Sequence, residues 1–587
     1  MQRKNKNQTQ VNMRKYFNVF CFFLGTSICY SQSFYRGVDL SYVNELEDCG
    51  VTYSDASGDA ADAYELFDSQ GANIVRLRLW HNPAWTNYSN LTDVKKSIKR
   101  AKDAGMEVLL DFHYSDFWTD PGRNWRPSAW EAIDDDLVLA DSLYNYTYNT
   151  LKELYDEALF PEMVQVGNET NGNILIKRGA ANIDGSTPGL YPINWDRQVI
   201  LFKKALEAVH DIEALTQQEV QTVIHVADAG SADSWFSAAH ENELDNYDII
   251  GLSYYPQFHD DPLRTVGERV ASLKEKFQKE VMLVELGFPW TTGSSGDNAN
   301  NVLGQGSKLS TYDNFSPEVQ KEFLIELTWL VKENGGLGVI YWEPAWVSSS
   351  CQTYWGTGSH WDNATFFDFD NKVHAGMEFL SYDYAQKPDG LKEKEVTFRV
   401  NMEGEEVGNG VYVTGDFTSE TWTFIEMVNI EEDIYEVTTP VAGRSSGAFV
   451  YYKNNDWDFE YREEVPTSCA FYWDTHRSFL VKNEPVNYDF AWGSCDNVVK
   501  VIVPPLQSDE MLNTKNVSVF PNPTTDLLFI DYEGEIQSMT IFNSAGKQLP
   551  IQSQHHSINL KNLPQGIYFL QLSTDLGSQS IKILKND

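Results

Sequence analysis

The chain of 587 residues predicts a (β/α)₈ barrel followed by two small all-β, sandwich-like domains. Three observations carry that expectation. Between Phe34 and Asp383, eight short apolar runs alternate with longer helical patterns. After a polar stretch at Gln386–Glu395 the helical patterns stop, and short runs broken by Gly, Asn and Asp take over. A second break, Val503–Lys515 with Pro504 and Pro505, sets off a last strand-rich piece. Eight βα units are the content of one barrel. The expected divisions are a signal peptide at 1–33, the barrel at 34–385, a β-sandwich module at 395–496 and a terminal module at 515–587.

At the N-terminus, Arg3, Lys4, Lys6, Arg14 and Lys15 precede the apolar run Tyr16–Ile28, and Ser31-Gln32-Ser33 offers small residues for cleavage. This is a signal-peptide pattern, too short for a membrane span, and no later run is long enough for one. The mature protein is expected to be secreted and monomeric. Its 85 acidic against 45 basic residues, a net charge of −40, exclude nucleic acid and anionic membrane as partners. They suit an exported protein acting on something neutral. The 17 Trp, 30 Tyr and 32 Phe also suit sugar binding, because the apolar face of a pyranose stacks on an indole. The four cysteines left after the signal (Cys49, Cys351, Cys469, Cys495) allow three pairings. Cys469 and Cys495 share one module and are expected to pair there.

The candidate barrel strands are Tyr35–Leu40, Ile74–Trp80, Glu107–Tyr114, Met163–Asn168, Thr222–Ala227, Asp248–Tyr254, Val281–Leu286 and Gly338–Trp342. Most are β-branched or Leu-rich without clean alternation, as parallel strands covered on both faces should be. Candidate helices lie between them: Asp93–Ala104 stopping at Gly105, Asp134–Leu159, Trp195–Ala214, and a helix opened by Ser316-Pro317 that ends near Asn334. Polar and aromatic outliers gather at the C-terminal ends of the strands: Asp39, Arg78, His81, Asp111, His113, Asp116, Asn168, Glu169, His225, Tyr254, Tyr255, Glu285, Trp342 and Glu343. In a barrel that end forms one face, where active sites sit.

Glu169 ends the fourth candidate strand and Glu285 the seventh, so the two face each other across the mouth. Cleaving a glycosidic bond needs such a pair, one carboxyl protonated for the leaving oxygen and one ionised to attack or to activate water. Burial and mutual repulsion split their pKa values and set the roles. Asn168 beside Glu169 can hold a sugar 2-hydroxyl, which makes Glu169 the acid/base and Glu285 the nucleophile. Glu343 ranks below the pair, because Trp342 and Pro344 mark a structural turn.

The motifs Arg36-Gly37-Val38-Asp39, Asn73–Trp80, Asp111–Trp118, Val166-Gly167-Asn168-Glu169, Gly251–Pro256 and Tyr341–Trp346 resemble glycoside hydrolase family 53, the endo-β-1,4-galactanases acting on type I arabinogalactan. The resemblance covers nearly all of 34–383. It implies a retaining mechanism with the two acids on strands four and seven and a polysaccharide substrate. It further implies that Asp116, Trp118 and Trp125 lie near the sugar subsites and that Arg78, His113 and His225 support the acids. Tyr254 or Tyr255 would bond the nucleophile, and Trp342 would floor the cleaved-sugar site. A related barrel enzyme acting on mannan or cellulose is the nearest alternative, and an inactive surface lectin the alternative of another class. No cofactor is required. Some family members hold a structural calcium, and Ser359 and Asp362 match one half of that site; of the other half only Asp297 and some Asn remain.

The terminal module resembles the sorting domain of the type IX secretion system through Val519–Pro523, Ile541–Gly546 and Leu563–Tyr568. That resemblance implies export through the type IX machinery. The middle module, with Gly410–Phe417, Trp422 and Trp457, loosely resembles small glycan-binding β-sandwiches.

Overall fold

The computed structural model describes residues 34–179, 187–259, 261–297, 299–353, 355–418, 422–470, 475–495 and parts of 518–585. The expected signal peptide (with Cys21 and Cys29), the 503–515 linker and Pro521–Pro523 and Ser544–Gly546 of the tail lie outside the described residues. The chain divides into two compact units at Val498/Val499.

The first unit opens with a closed barrel of eight parallel strands: β1 (Tyr35–Asp39), β2 (Ile74–Leu79), β3 (Glu107–Phe112), β4 (Met163–Val166), β5 (Gln221–Val226), β6 (Ile249–Tyr254), β7 (Glu280–Leu286) and β8 (Gly338–Tyr341). Each strand pairs with its sequence neighbour, and β1 closes on β8. Around them run helices whose ends follow local chemistry. Leu91–Ala104 is capped by the Asn90 side chain, two residues before the expected start, and stops at Gly105 in a left-handed conformation. Asp136–Asp156 is capped by Asp135, Trp195–Thr216 by Asn194, and Pro317–Glu333 by Ser316 with proline in its first turn. The helices Val43–Asp48, Ala63–Ser69, Ala229–Glu241 and Leu263–Phe277 complete the layer.

The barrel interior is stratified. Tyr35, Ile74, Leu109, Met163, Val223, Ile249, Met282, Val284 and Ile340 pack an apolar plug. Two residues further along their strands the same inward face carries Arg76, Asp111, Gln165 and His225, all buried. On β7 the alternation breaks. Leu252 and Ser253 of β6 face Leu283 and Glu285, so the register skips Val284. Val284 packs in the interior cluster while Leu283 and Leu286 join the outer core. The bulge therefore turns Glu285 inward directly after an inward Val284. Gly251 makes room for it: a side chain there would collide with Val223 and Val284.

The middle module forms one seven-stranded sheet in the order 477–481, 445–452, 411–415, 425–431, 434–442, 393–401 and 486–491. Its core gathers Val396, Phe398, Val400, Val413, Phe449 and Tyr451. Cys469 and Cys495 are joined, and Cys49 is joined to Cys351. The latter bond ties the segment after β1 to the loop after β8. The second unit contains two four-stranded sheets with Leu528, Ile530, Ile541, Leu570, Leu572 and Ile583 in its core.

The stretch Gln386–Glu395 is not the free linker its polarity suggests. Leu391 is fully buried in the barrel core. Arg264 of the barrel donates to the Leu391 and Gly443 carbonyls. Arg444 of the module enters the barrel, pairs with Glu326 and Glu322, donates to the Thr311 carbonyl and lies 4.0 Å from the ring centroid of Tyr312. Arg444 and Glu326 are each 3% exposed. Breaking a buried pair by removing one partner costs about 3–5 kcal/mol. Arg444→Ala is thus expected to lower the melting temperature of the barrel itself; a melt indistinguishable from wild type would refute the clamp.

Candidate active site

Eight strand ends converge on a cleft of about 480 Å³. Its walls are aromatic (Trp118, Tyr255, Phe258, Trp342, Trp346, Trp355, Trp361) and its floor holds Asn168, Glu169 and Glu285. Trp342 meets Trp361 edge to face at 4.7 Å and Trp118 at 6.0 Å.

Glu169 lies at a tight strand end. Gly167 has φ +88° and Glu169 itself φ +45°, a left-handed conformation that a non-glycine residue adopts only when its surroundings enforce it. Three contacts enforce it. The Glu169 amide donates to His225 Nδ1 at 3.3 Å, the Thr170 amide to the His225 carbonyl at 2.8 Å, and Ser253 Oγ to Glu169 Oε1 at 2.8 Å. Glu285 is held by Arg76 Nη2 at 2.8 Å and by the Tyr255 hydroxyl at 2.8 Å.

Arg76, 1% exposed, organises the floor. It binds Asp39 and Asp111 at 2.8 Å each, Asn168 Oδ1 at 2.7 Å and Gln165 Oε1 at 3.2 Å, besides Glu285. The two acids differ accordingly. Burial, with the charge of Glu285, pushes Glu169 far above the usual carboxylate range. Burial also raises Glu285, but Arg76 and the Tyr255 hydroxyl oppose it. The net result leaves Glu285 raised to about 7 and Glu169 the more strongly biased of the two toward its protonated form. Burial lowers both His113 and His225, so both imidazoles are neutral.

The sequence-derived candidates separate into groups. Glu169, Glu285, Asn168, Trp118 and Trp342 line the cleft. His113 stands one shell back, its Nε2 3.0 Å from Asp111, and His225 contacts Asn168, Ser253 and the Glu169 amide. Arg78 does not reach the acids. It pairs with Glu343 at 3.1 Å and lies over Trp118, Tyr42 and Trp80, bracing the aromatic wall. The support expected of Arg78 comes from Arg76, two residues earlier on the same inward face. Asp116 lies outside the cleft lining; it accepts from the Asn82 and Ser128 amides and faces His81 at 3.5 Å, holding the loop after β3. Trp125 stacks on Phe117. Of the two tyrosines, Tyr255 bonds Glu285, whereas Tyr254 points into the helical layer, donates to the Asp261 carbonyl and stacks on Phe323. Strand alternation explains the difference, since Ser253 and Tyr255 share the inward side. Arg76, Gln165 and Ser253 went unread by sequence; a charge in the middle of an apolar strand was the available signal for Arg76.

The calcium candidates do converge, but as a hydrogen-bonded loop lock. Asp297 Oδ2 accepts from the Ser359 amide and the Ser348 hydroxyl, and Oδ1 from the Ala299 amide. Asp362 accepts from the Ser295 amide, and the Ser359 hydroxyl donates to the Trp346 carbonyl. N–H and O–H groups thus point at both Asp297 oxygens and at Asp362 Oδ2, while among the described residues Asp362 Oδ1 and Asn301 Oδ1 are buried with no hydrogen-bond partner; calcium takes six to eight oxygens. Exhaustive chelation should leave the melting temperature unchanged. A fall of several degrees, restored by calcium, would show a bound cation, since a ligand at about 100 Kd adds about 2.7 kcal/mol.

A family model for glycosyl hydrolase family 53 matches residues 35–380, and one for the secretion system C-terminal sorting domain matches 518–586. An arabinogalactan endo-beta-1,4-galactanase of Cellvibrio japonicus (strain Ueda107) is 47% identical over 357 residues, 61% of this chain and 92% of that protein. An endo-beta-1,4-galactanase of Bacillus subtilis (strain 168) is 31% identical over 360 residues, 58% of this chain and 78% of that one. The family 53 catalytic domain from Ignisphaera aggregans superposes with TM-score 0.53 at 29% identity, covering 60% of this chain and 96% of its own. A fungal beta-1,4-galactanase structure gives 0.50 at 28%, covering 60% and 100%.

Proposed function

The chain belongs to glycosyl hydrolase family 53, and on that premise we propose that it is a secreted endo-β-1,4-galactanase cleaving type I arabinogalactan by double displacement. The observation that carries the reading is the asymmetric carboxyl pair: Glu285 in contact with the Arg76 guanidinium, Glu169 opposite it without that contact and pushed by burial toward its protonated form, both in an aromatic cleft. Glu285 attacks the anomeric carbon while Glu169 gives its proton to the departing glycosidic oxygen. The same Glu169, now ionised, takes a proton from the water that breaks the glycosyl–Glu285 bond. Asn168 spends Oδ1 on Arg76 and one Nδ2 hydrogen on the Thr119 carbonyl. Its other Nδ2 hydrogen is free for a sugar 2-hydroxyl. Trp342 and Trp118 offer faces to the pyranoses. The two-carboxyl chemistry needs no cofactor.

The tail supports export by the type IX system, and we assign residues 1–33 to a cleaved signal peptide. Among the described residues no helix is long and apolar enough to cross a membrane. The protein is taken to act as a monomer outside the cell or at its surface.

Incubation with linear β-1,4-galactan, with products sized early, tests the reading. Long products first, with the newly formed end of retained configuration, are expected. Activity on β-1,4-mannan or glucan with none on galactan would overturn the substrate. Glu285→Gln should lose on the order of 10³-fold or more in kcat while still binding galactan. Tyr255→Phe removes a donor that favours the charged form of Glu285. The pKa of Glu285 then rises, and the acid limb of kcat/KM moves to higher pH by about one unit; an unmoved limb would contradict that role.

A further inference from the structure

Ser253 lies on β6, fully buried, between Glu169 Oε1 at 2.8 Å and His225 Nε2 at 2.9 Å. The orientation of its hydroxyl follows from the groups behind it. Arg76 Nε donates to Gln165 Oε1, so Gln165 Nε2 is a donor; it gives one hydrogen to Asp111 Oδ1 and lies 3.1 Å from His225 Nδ1. Asn168 Oδ1 lies 3.0 Å from the same His225 Nδ1, but it already accepts from Arg76 at 2.7 Å and from Gln165 at 3.2 Å, which fills its two lone pairs. The Glu169 main-chain N–H, by contrast, needs an acceptor and finds it in His225 Nδ1. The ring hydrogen of this neutral imidazole therefore sits on Nε2 and points at Ser253 Oγ. The single hydroxyl hydrogen of Ser253 is left facing Glu169.

We propose that His225 and Ser253 are positioning residues that keep one hydrogen-bond donor permanently aimed at Glu169, so that its carboxyl can lose its proton and serve as the base in the second half of the reaction. The inference rests on the acid/base role given to Glu169 above. Its physical need is plain. Burial and the charges of Glu285 and Asp120 push Glu169 toward the protonated form, with Tyr255 close by and Arg76 the cation that opposes them. A carboxyl held too firmly protonated would complete glycosylation and then stall as the covalent intermediate. A donor to its oxygen favours the charged form and relieves that bias. Arg76 thus acts on both acids, on Glu285 by direct contact and on Glu169 by fixing Gln165 and Asn168, which leave His225 Nδ1 to the Glu169 amide.

The test is the Ser253→Ala variant, with Ser253→Cys as an isosteric, weaker donor and Ser253→Thr as the hydroxyl-restoring control, each checked by thermal melting. In Ser253→Ala the alkaline limb of kcat/KM on galactan is expected about one pH unit higher, with the acid limb unmoved. On a nitrophenyl β-galactobioside, whose leaving group needs no acid, kcat and KM should fall together as the intermediate accumulates. Cys should shift the limb less, and Thr should restore it. A folded Ala or Cys variant whose alkaline limb stays in place, or a Thr variant that fails to restore it, overturns the proposal. Because the wild type is assayed on the same galactan, its inactivity would refute the proposed function instead.

Discussion

One buried guanidinium sets the terms for the rest of the barrel. Arg76 sits above the apolar plug and meets three carboxylates, Asp39, Asp111 and Glu285. A charge removed from water is tolerated only where counter-charge and hydrogen bonds replace the lost solvation. Gln165 and Asn168 supply the remaining partners, and each is thereby fixed in orientation. Burial would raise Asp111, but Arg76 and His113 hold it below the ordinary range. The cation is thus shared among more acids than it can neutralise alone. Glu169, with no direct contact to it, is pushed well up by burial and by the charge of Glu285.

Much of this was legible in the sequence. Eight βα units, the polar crowd at strand ends and the pair Glu169 and Glu285 followed from periodicity and spacing. What stayed hidden depended on side-chain direction. Glu285 follows an inward Val284, so strict alternation would turn it toward the helices; only the bulge on β7 brings it inside. The same alternation selects Tyr255 over Tyr254, and Arg76 at a depth where Arg78 only braces the wall. Ser253 gives no signal at all, since a lone serine at a strand end is unremarkable until His225 is known to stand behind it.

Polarity misled at the domain junction for a related reason. Gln386–Glu395 carries the composition of a loop, yet its one apolar side chain, Leu391, is the anchor, and the charges around it face solvent or the module. A segment can be polar on average and still be fixed by a single buried residue and a few carbonyls held by Arg264. The loops after β7 and β8 are joined by a similar economy, with backbone amides and serine hydroxyls bonding Asp297 and Asp362.

The Arg444 clamp also bears on how such a protein can evolve. A module on a flexible tether is exchanged freely between lineages, because neither partner carries a trace of the other. Here Glu326, deep in a barrel helix, has besides the Tyr312 hydroxyl an arginine contributed from more than a hundred residues downstream. Loss or replacement of the module would strand an anion inside the catalytic domain. A barrel parted from this module would need a compensating change at Glu326 to keep its stability.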